Sequence, residues 1–303
     1  MKLQVFHRTH YAYATPVRDS ANEVRLQPTS TDGQDRLSFI LKVLPVARLK
    51  HYLDFQRNCV HLFDVSSPHS ELTIEATSIV RTRDPATLAD DATPAPFDTL
   101  PAATLTERCY DFLQPSRYVA ASPEAWRLAI DLSAGQTDVW QVALILMRHI
   151  FREFVYQPAA THVHTTMEES LRLRRGVCQD FAHVMIGLCR SLKIPARYVS
   201  GYLYNGPADQ LKGAQATHAW VEVFIPGIGW RGLDPTNNQQ VNRHHVKIAH
   251  GRDYADVSPI RGTYHGPGQR TLTVDVLVTC LDDETEAPSP VAPSQSQTQT
   301  ATS

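Results

Sequence analysis

The feature that most limits what this chain can become is a change of hydrophobic period partway along it. From Lys2 to about Arg83, short runs such as LQVFHRTHYAY, RLSFILKVLP, NCVHLFDVSS and SELTIEATSIVRT alternate apolar and polar residues and are rich in Val, Ile, Phe and Thr. Neighbouring side chains of a strand point to opposite faces, so this period of two predicts antiparallel strands, separated here by Pro, Gly, Asp and Asn. The spacing then becomes helical over Thr106 to Leu113, Pro123 to Leu132 and Thr137 to Val155. In the last of these Val139, Val142, Ile145, Leu146, His149 and Ile150 share a face, and Thr137 is the expected N-cap. Thr165 with Glu168, or Thr166 with Glu169, has capping-box spacing for a further helix that ends near Gly176. Gln179 to Leu192 carries an apolar stripe of Phe181, Ala182, Met185, Leu188, Cys189 and Leu192, as a buried amphipathic helix would. Three strand candidates follow: ARYVSGYLY, HAWVEVFI and GWRGLD.

This order of elements predicts an α+β protein: a β-rich N-terminal domain over 1–85, a connection over 86–105, a helix-and-strand core over 106–267, one strand over 268–282, and a disordered tail over 283–303. A chain of 303 residues is long for a single core, which also favours two units. TLTVDVLVTCL, at Thr271 to Leu281, comes after the core and is expected to return to the first domain. Asn242 to Pro267 shows no period and reads as irregular surface structure.

Composition excludes several function classes. A formal charge of -2 with scattered Lys and Arg argues against nucleic acid as a partner, and Arg172, Arg174 and Arg175 read as a solvated helix end. The start MKLQVFHRTHYAYATP has no uninterrupted apolar core of a secretory signal, and no run approaches the ~18 apolar residues of a membrane span. A cytoplasmic protein with no membrane partner is the expectation. Cys59, Cys109, Cys178, Cys189 and Cys280 form an odd, widely spaced set with no CxxC, so neither a disulfide framework nor a zinc site is expected. His162 with His164, and His244 with His245, lack partner ligands at metal-site spacing, and no DxDxDG loop is present for calcium. No cofactor or metal is expected.

Cys178 follows Gly176 and Val177 at the start of a predicted helix. Unpaired backbone N–H groups at such a position favour the thiolate form of a cysteine, although a lone cysteine more often simply packs. Its company changes the balance. His218 opens the strand HAWVEVF, and Asp234 closes GWRGLD, with Gly227 and Gly229 as the turn signal between them. An imidazole can take the thiol proton, and a carboxylate can hold the ring by its other nitrogen.

GVCQDFAHVMIGLCRSLKIPARYVSGY, followed by THAWVEVFIPGIGWRGLDPTN, resembles the core of the bacterial transglutaminase-like superfamily over about Glu153 to Asn237. The run of strands ahead of it resembles the β-rich N-terminal domain carried by two-part members of that family. The resemblance implies a papain-like core whose nucleophile begins a helix packed on an antiparallel sheet. It makes Cys178 the nucleophile, His218 the base and Asp234 the orienting acid. The N–H of Cys178 is the natural first oxyanion donor, and Tyr156 is the candidate for the second. Gln179 is a candidate cleft residue, and Asp180 reads equally as a charge for the first helical turn. Trp220 and Trp230 read as core or cleft wall, and Arg197 as a strand-end ion pair. The chemistry implied is acyl transfer through a thioester on a peptide, isopeptide or glutamine amide of a peptide or protein substrate. Hydrolysis is the first expectation. A transamidase that attaches amines is the alternative, and a noncatalytic scaffold is the reading from another class. Nothing in the sequence bears on oligomeric state.

Overall fold

The computed structural model describes residues 1–85, 95–104, 107–206, 217–281 and 297–301. The N-terminal region forms strands β1 (Lys2–Val24), β2 (Gln34–Leu44), β3 (Lys50–Leu53), β4 (Cys59–Val65) and β5 (His69–Thr82). Then come the short helix α1 (Leu100–Thr104), a 3-10 turn at Glu107–Leu113, α2 (Pro123–Ser133), α3 (Val139–Glu153), β6 (Val155–Tyr156), α4 (Met167–Leu173), β7 (Arg175–Gly176) and α5 (Cys178–Ser191). The chain continues through β8 (Ala196–Leu203), β9 (His218–Ile225), β10 (Gly229–Asp234), β11 (Gln239–Gln240), β12 (His245–Gly251), α6 (Tyr254–Val257), β13 (Ile260–His265), β14 (Arg270–Cys280) and β15 (Gln297–Ala301).

Two sheets organise the molecule. The first is built on β1, whose opening half lies between β5 and β14, with Leu3 opposite both Val80 and Cys280; its closing half lies between β4 and β13. The second has the order β11-β10-β9-β8-β12, and all its pairings are antiparallel. The segment expected to be irregular, 242–267, thus holds two strands and a helix, and β12 is an edge of the second sheet. Its apolar residues are too few and too interrupted by His, Arg and Gly to show a period. The connection expected over 86–105 lies outside the described residues at 86–94 and 105. Of the tail, 283–296 and 302–303 lie outside them, while Gln297–Ala301 pairs with β14, where the sequence predicted disorder.

α5 is the hub. The sequence predicts an amphipathic helix there, but every residue from Cys178 to Arg190 is buried, because β9 and β8 cover one side and α2, α3 and α4 the others. Arg190 is tolerated inside because its guanidinium donates to the carbonyls of Phe112, Gln114, Ala196 and Arg252. α3 starts one residue later than expected: Asp138, not Thr137, is the N-cap, accepting from the Gln141 N–H at 2.8 Å while also bonding the Ala95 N–H. α4 carries the predicted capping box of Thr166 and Glu169.

The two sheets share one core. Leu3, Val5 and Val80 of the first belong to the same buried cluster as α3, α5 and the second sheet. His7 of β1 reaches Tyr202 of β8 at 2.8 Å. On the exposed flank of β12, Gln34 and Asn58 act in place of a missing strand. Gln34 donates to the Lys247 carbonyl and accepts from its N–H, and Asn58 does the same at His250. Side-chain amides thereby satisfy an edge that would otherwise present unpaired backbone groups.

Candidate active site

Cys178 is the first residue of α5, and the geometry just before it is fixed by Asp180. One carboxylate oxygen accepts from the Val177 N–H at 2.8 Å and from Thr161 at 2.6 Å, and the other accepts from Ser170 at 3.0 Å. Gly176 is required beside it, since a Cβ there would stand 2.3 Å from a carboxylate oxygen that these donors hold in place. Gly176 also pairs with Tyr156 through the parallel β6–β7 ladder, which brings that phenol alongside the start of α5. The Tyr156 ring meets Phe181 edge-on.

His218 enters from the first position of β9 and Asp234 from the last of β10, and both are fully buried. The His218 Nε2 lies 2.9 Å from Asp234 Oδ2. With Nε2 so committed, Nδ1 is the nitrogen left for the thiol. It is buried, and Cys178 is near enough to raise the proton affinity of the ring. Thiol–imidazole contacts in unliganded sites are often loose in this way and tighten with substrate. Cys178 and His218 open on one cavity of about 510 Å³.

Two further residues meet Asp234. Asn237 donates its side-chain amide to Asp234 Oδ2 at 2.8 Å, and its N–H, with that of Thr236, bonds Oδ1. The Asp-Pro-Thr-Asn run after β10 carries a signal for this, because an Asp-initiated turn bonds backbone groups two and three residues on. His245, from β12, presents Nε2 to the same Oδ2 at 3.4 Å. Its position eleven residues beyond the aspartate carries none. Trp220 is core, with its ring against both His218 and His245, at 6.2 and 5.2 Å between centroids. Gly201 makes room for it: a Cβ there would lie 2.5 Å from the indole and 2.1 Å from the Val246 carbonyl.

Electrostatics follow from these contacts. Burial by itself would depress the pKa of His218, but the Asp234 charge and hydrogen bond, with Cys178, raise it to about 10. Burial would raise Asp234, but His218 and then His245 hold it well below the carboxylate range. His245 itself is lowered, chiefly by burial and further by the neighbouring His218, against the pull of Asp234. His218, Asp234 and His245 put three potential ligand atoms within 4.8 Å of one another, but both rings address one carboxylate oxygen to which the Asn237 amide also donates. That is the arrangement of a hydrogen-bonded acid–base unit. Gln179 lines the cavity, and its amide donates to the Val163 carbonyl at 3.1 Å, fixing the loop opposite. Trp230 lies away from the cavity, under the Arg197 guanidinium at 4.1 Å, and Arg197 pairs with Glu222 at 2.6 Å.

Comparison with known proteins agrees with this architecture. Residues 127–235 match the transglutaminase-like superfamily, and residues 3–81 match the bacterial transglutaminase-like N-terminal region. An uncharacterized protein of Mycobacterium leprae is 32% identical over 283 residues, covering 92% of this chain and 99% of that one. A protein-glutamine gamma-glutamyltransferase of Pseudomonas aeruginosa is 36% identical over 122 residues, covering 38% of this chain and 18% of that one. The crystal structure of a candidate cysteine protease from Cytophaga hutchinsonii superposes with a TM-score of 0.72 at 24% identity, covering 98% of this chain and 96% of that one. The chain belongs to the transglutaminase-like superfamily and carries that family's bacterial N-terminal region. Among the described residues no helix is long and apolar enough to cross a membrane.

Proposed function

We propose that this protein is a cysteine-dependent acyl-transfer enzyme that hydrolyses an amide of a peptide or protein through a thioester. The observation that carries the reading is the 2.9 Å bond between His218 Nε2 and Asp234, which leaves the other ring nitrogen for a thiol that shares its cavity. His218 takes the Cys178 proton as sulfur attacks the amide carbon. The oxyanion is held by the N–H of Cys178, with the Tyr156 phenol as the second donor. Collapse breaks the C–N bond, and the departing amine takes the proton from His218. Water, deprotonated by the same ring, then attacks the thioester, and the acid leaves as the thiol is restored.

The Cytophaga structure is described as a candidate cysteine protease and the Pseudomonas relative as a glutamyltransferase. Both activities start from sulfur attack on an amide and differ in whether water or an amine resolves the thioester. Hydrolysis is favoured here because the described residues lining the cavity include no Asp or Glu to attract a cationic amine. The reading includes a cytoplasmic location, where a thiol nucleophile stays reduced.

The test is to incubate the protein with a library of peptides and isopeptides in 18O water and identify products by mass spectrometry. Expected is 18O in the released acid, lost completely in Cys178→Ala. Attachment of a labelled amine to glutamine with no 18O-labelled acid would establish the transamidase instead. The scaffold reading makes its own prediction, that iodoacetamide labels Cys178 no faster than the half-buried Cys280 and at the same rate in His218→Ala. In the enzyme Cys178 reacts fastest and loses that lead in His218→Ala, whereas burial pushes the thiols of Cys59, Cys109 and Cys189 upward, the last to about 12.

A further inference from the structure

The face of the first sheet that turns toward the second does two different things along its length. Side chains alternate in a strand, so the cross-strand pairs Thr9–Val274 and Tyr11–Leu272 share one face with Val276 and Val278 further down β14. At the lower end Leu3, Val5, Val276 and Val278 close against the helical core. At the upper end the sheets separate, and Thr9, Tyr11, Leu272 and Val274 stand across the cavity from Cys178 and His218, with Ile260 of β13 beside them. The Arg270 guanidinium covers the rings of Tyr11 and Tyr264 at 5.4 and 5.7 Å, which braces Tyr11 at the rim. No described lining residue is Lys, Arg, Asp or Glu. A wall of this kind rewards an apolar side chain, whereas a charged one would have to shed water on entering.

We propose that the β1–β14 wall is a specificity subsite that receives an uncharged apolar or aromatic side chain flanking the amide attacked by Cys178. The N-terminal region then selects substrate rather than merely supporting the core. This rests on the reading of Cys178 as the nucleophile, and its test separates the two.

The full-length protein is alkylated with iodoacetamide, with N-benzyl iodoacetamide and with iodoacetylglycine, and the rate at Cys178 is followed by peptide mapping, each rate divided by that of the same reagent with free N-acetylcysteine. Expected is a benzyl-to-carboxylate ratio of at least about tenfold, the scale on which an apolar pocket discriminates. Leu272→Lys, which breaks the apolar surface and offers the carboxylate a partner, brings this ratio to about one or below. Leu277→Lys, on the same strand but at a position 53% exposed on the opposite face, leaves it unchanged. Should Leu272→Lys fail to fold, Thr9→Lys replaces it with the same expected collapse. If iodoacetamide does not single out Cys178, the nucleophile assignment fails. If it does single out Cys178 but the benzyl reagent shows no advantage, or the ratio survives both wall substitutions, the subsite is wrong and the nucleophile stands.

Discussion

Asp180 and Asp234 are both buried carboxylates, one in the first turn of α5 and the other at the end of β10, and they meet opposite electrostatic fates. Asp180 is surrounded by one backbone N–H and two hydroxyls, and burial outweighs these donors, so its carboxyl is raised above the usual range. Asp234 suffers the same burial but faces His218 and His245, and they hold it down. The difference teaches that depth in the fold does not by itself decide whether a carboxyl is charged. Neutral donors hold Asp180 as a brace for the backbone entering Cys178, while two imidazoles make Asp234 an anion able to support a proton on a ring.

The largest test of this contrast is Asp234→Asn. It keeps the shape but removes the charge, and turnover should fall about 10²–10⁴-fold, the usual worth of a general acid–base partner, measured as kcat under single-turnover conditions. Full activity in that variant would erase the distinction between the two aspartates. Asp180→Ala should instead act on the fold, leaving three donors without their acceptor at a cost of about 2–4 kcal/mol in urea unfolding. Its kcat, measured on the folded fraction, should drop less than that of Asp234→Asn. His245→Phe sharpens the picture further. Asp234 retains His218, Asn237 and the N–H of Thr236, so a loss of about tenfold in kcat is expected, as for a positioning residue.

The smallest effect is a pH dependence of stability. A group whose pKa is raised on folding contributes stability that is complete below its unfolded value, near 6.5 for His218, and disappears as pH climbs through the folded value, about 10. The Tm advantage of the wild type over His218→Ala should therefore shrink between about pH 7 and about pH 10. Lys247 runs the other way: burial beside Arg197 lowers it to about 8 despite Glu222, so stability is gained as pH rises from there toward its unfolded value. Comparing the two proteins at each pH cancels that contribution. An advantage that stayed constant across the window would mean that Asp234 does not hold His218 charged.

The strands and helices that build the site were legible in the sequence because their patterning is local. HAWVEVFI and GWRGLD correspond to β9 and β10 residue for residue, and the start of α5 is placed within one residue. What escaped depends on contacts remote in sequence. His245 acquires meaning only because β12 packs beside β8. The cavity wall at Thr9 and Leu272 joins residues from opposite ends of the chain, in strands whose alternation predicts a sheet but not what the sheet faces. Asp138 displaced Thr137 as a cap because it bonds Ala95 as well, a contact that no local spacing reveals.

Because Leu3 lies opposite Cys280, one side of the opening strand stays bare until β14 has been made. Pairing across so large a sequence separation is slow to form, and the pocket over the reactive sulfur is closed off by the same late event. A chain lacking residues 260–280 would carry Cys178, His218 and Asp234 without the wall of the cavity that faces them. The topology thereby ties completion of the proposed subsite to the making of β13 and β14.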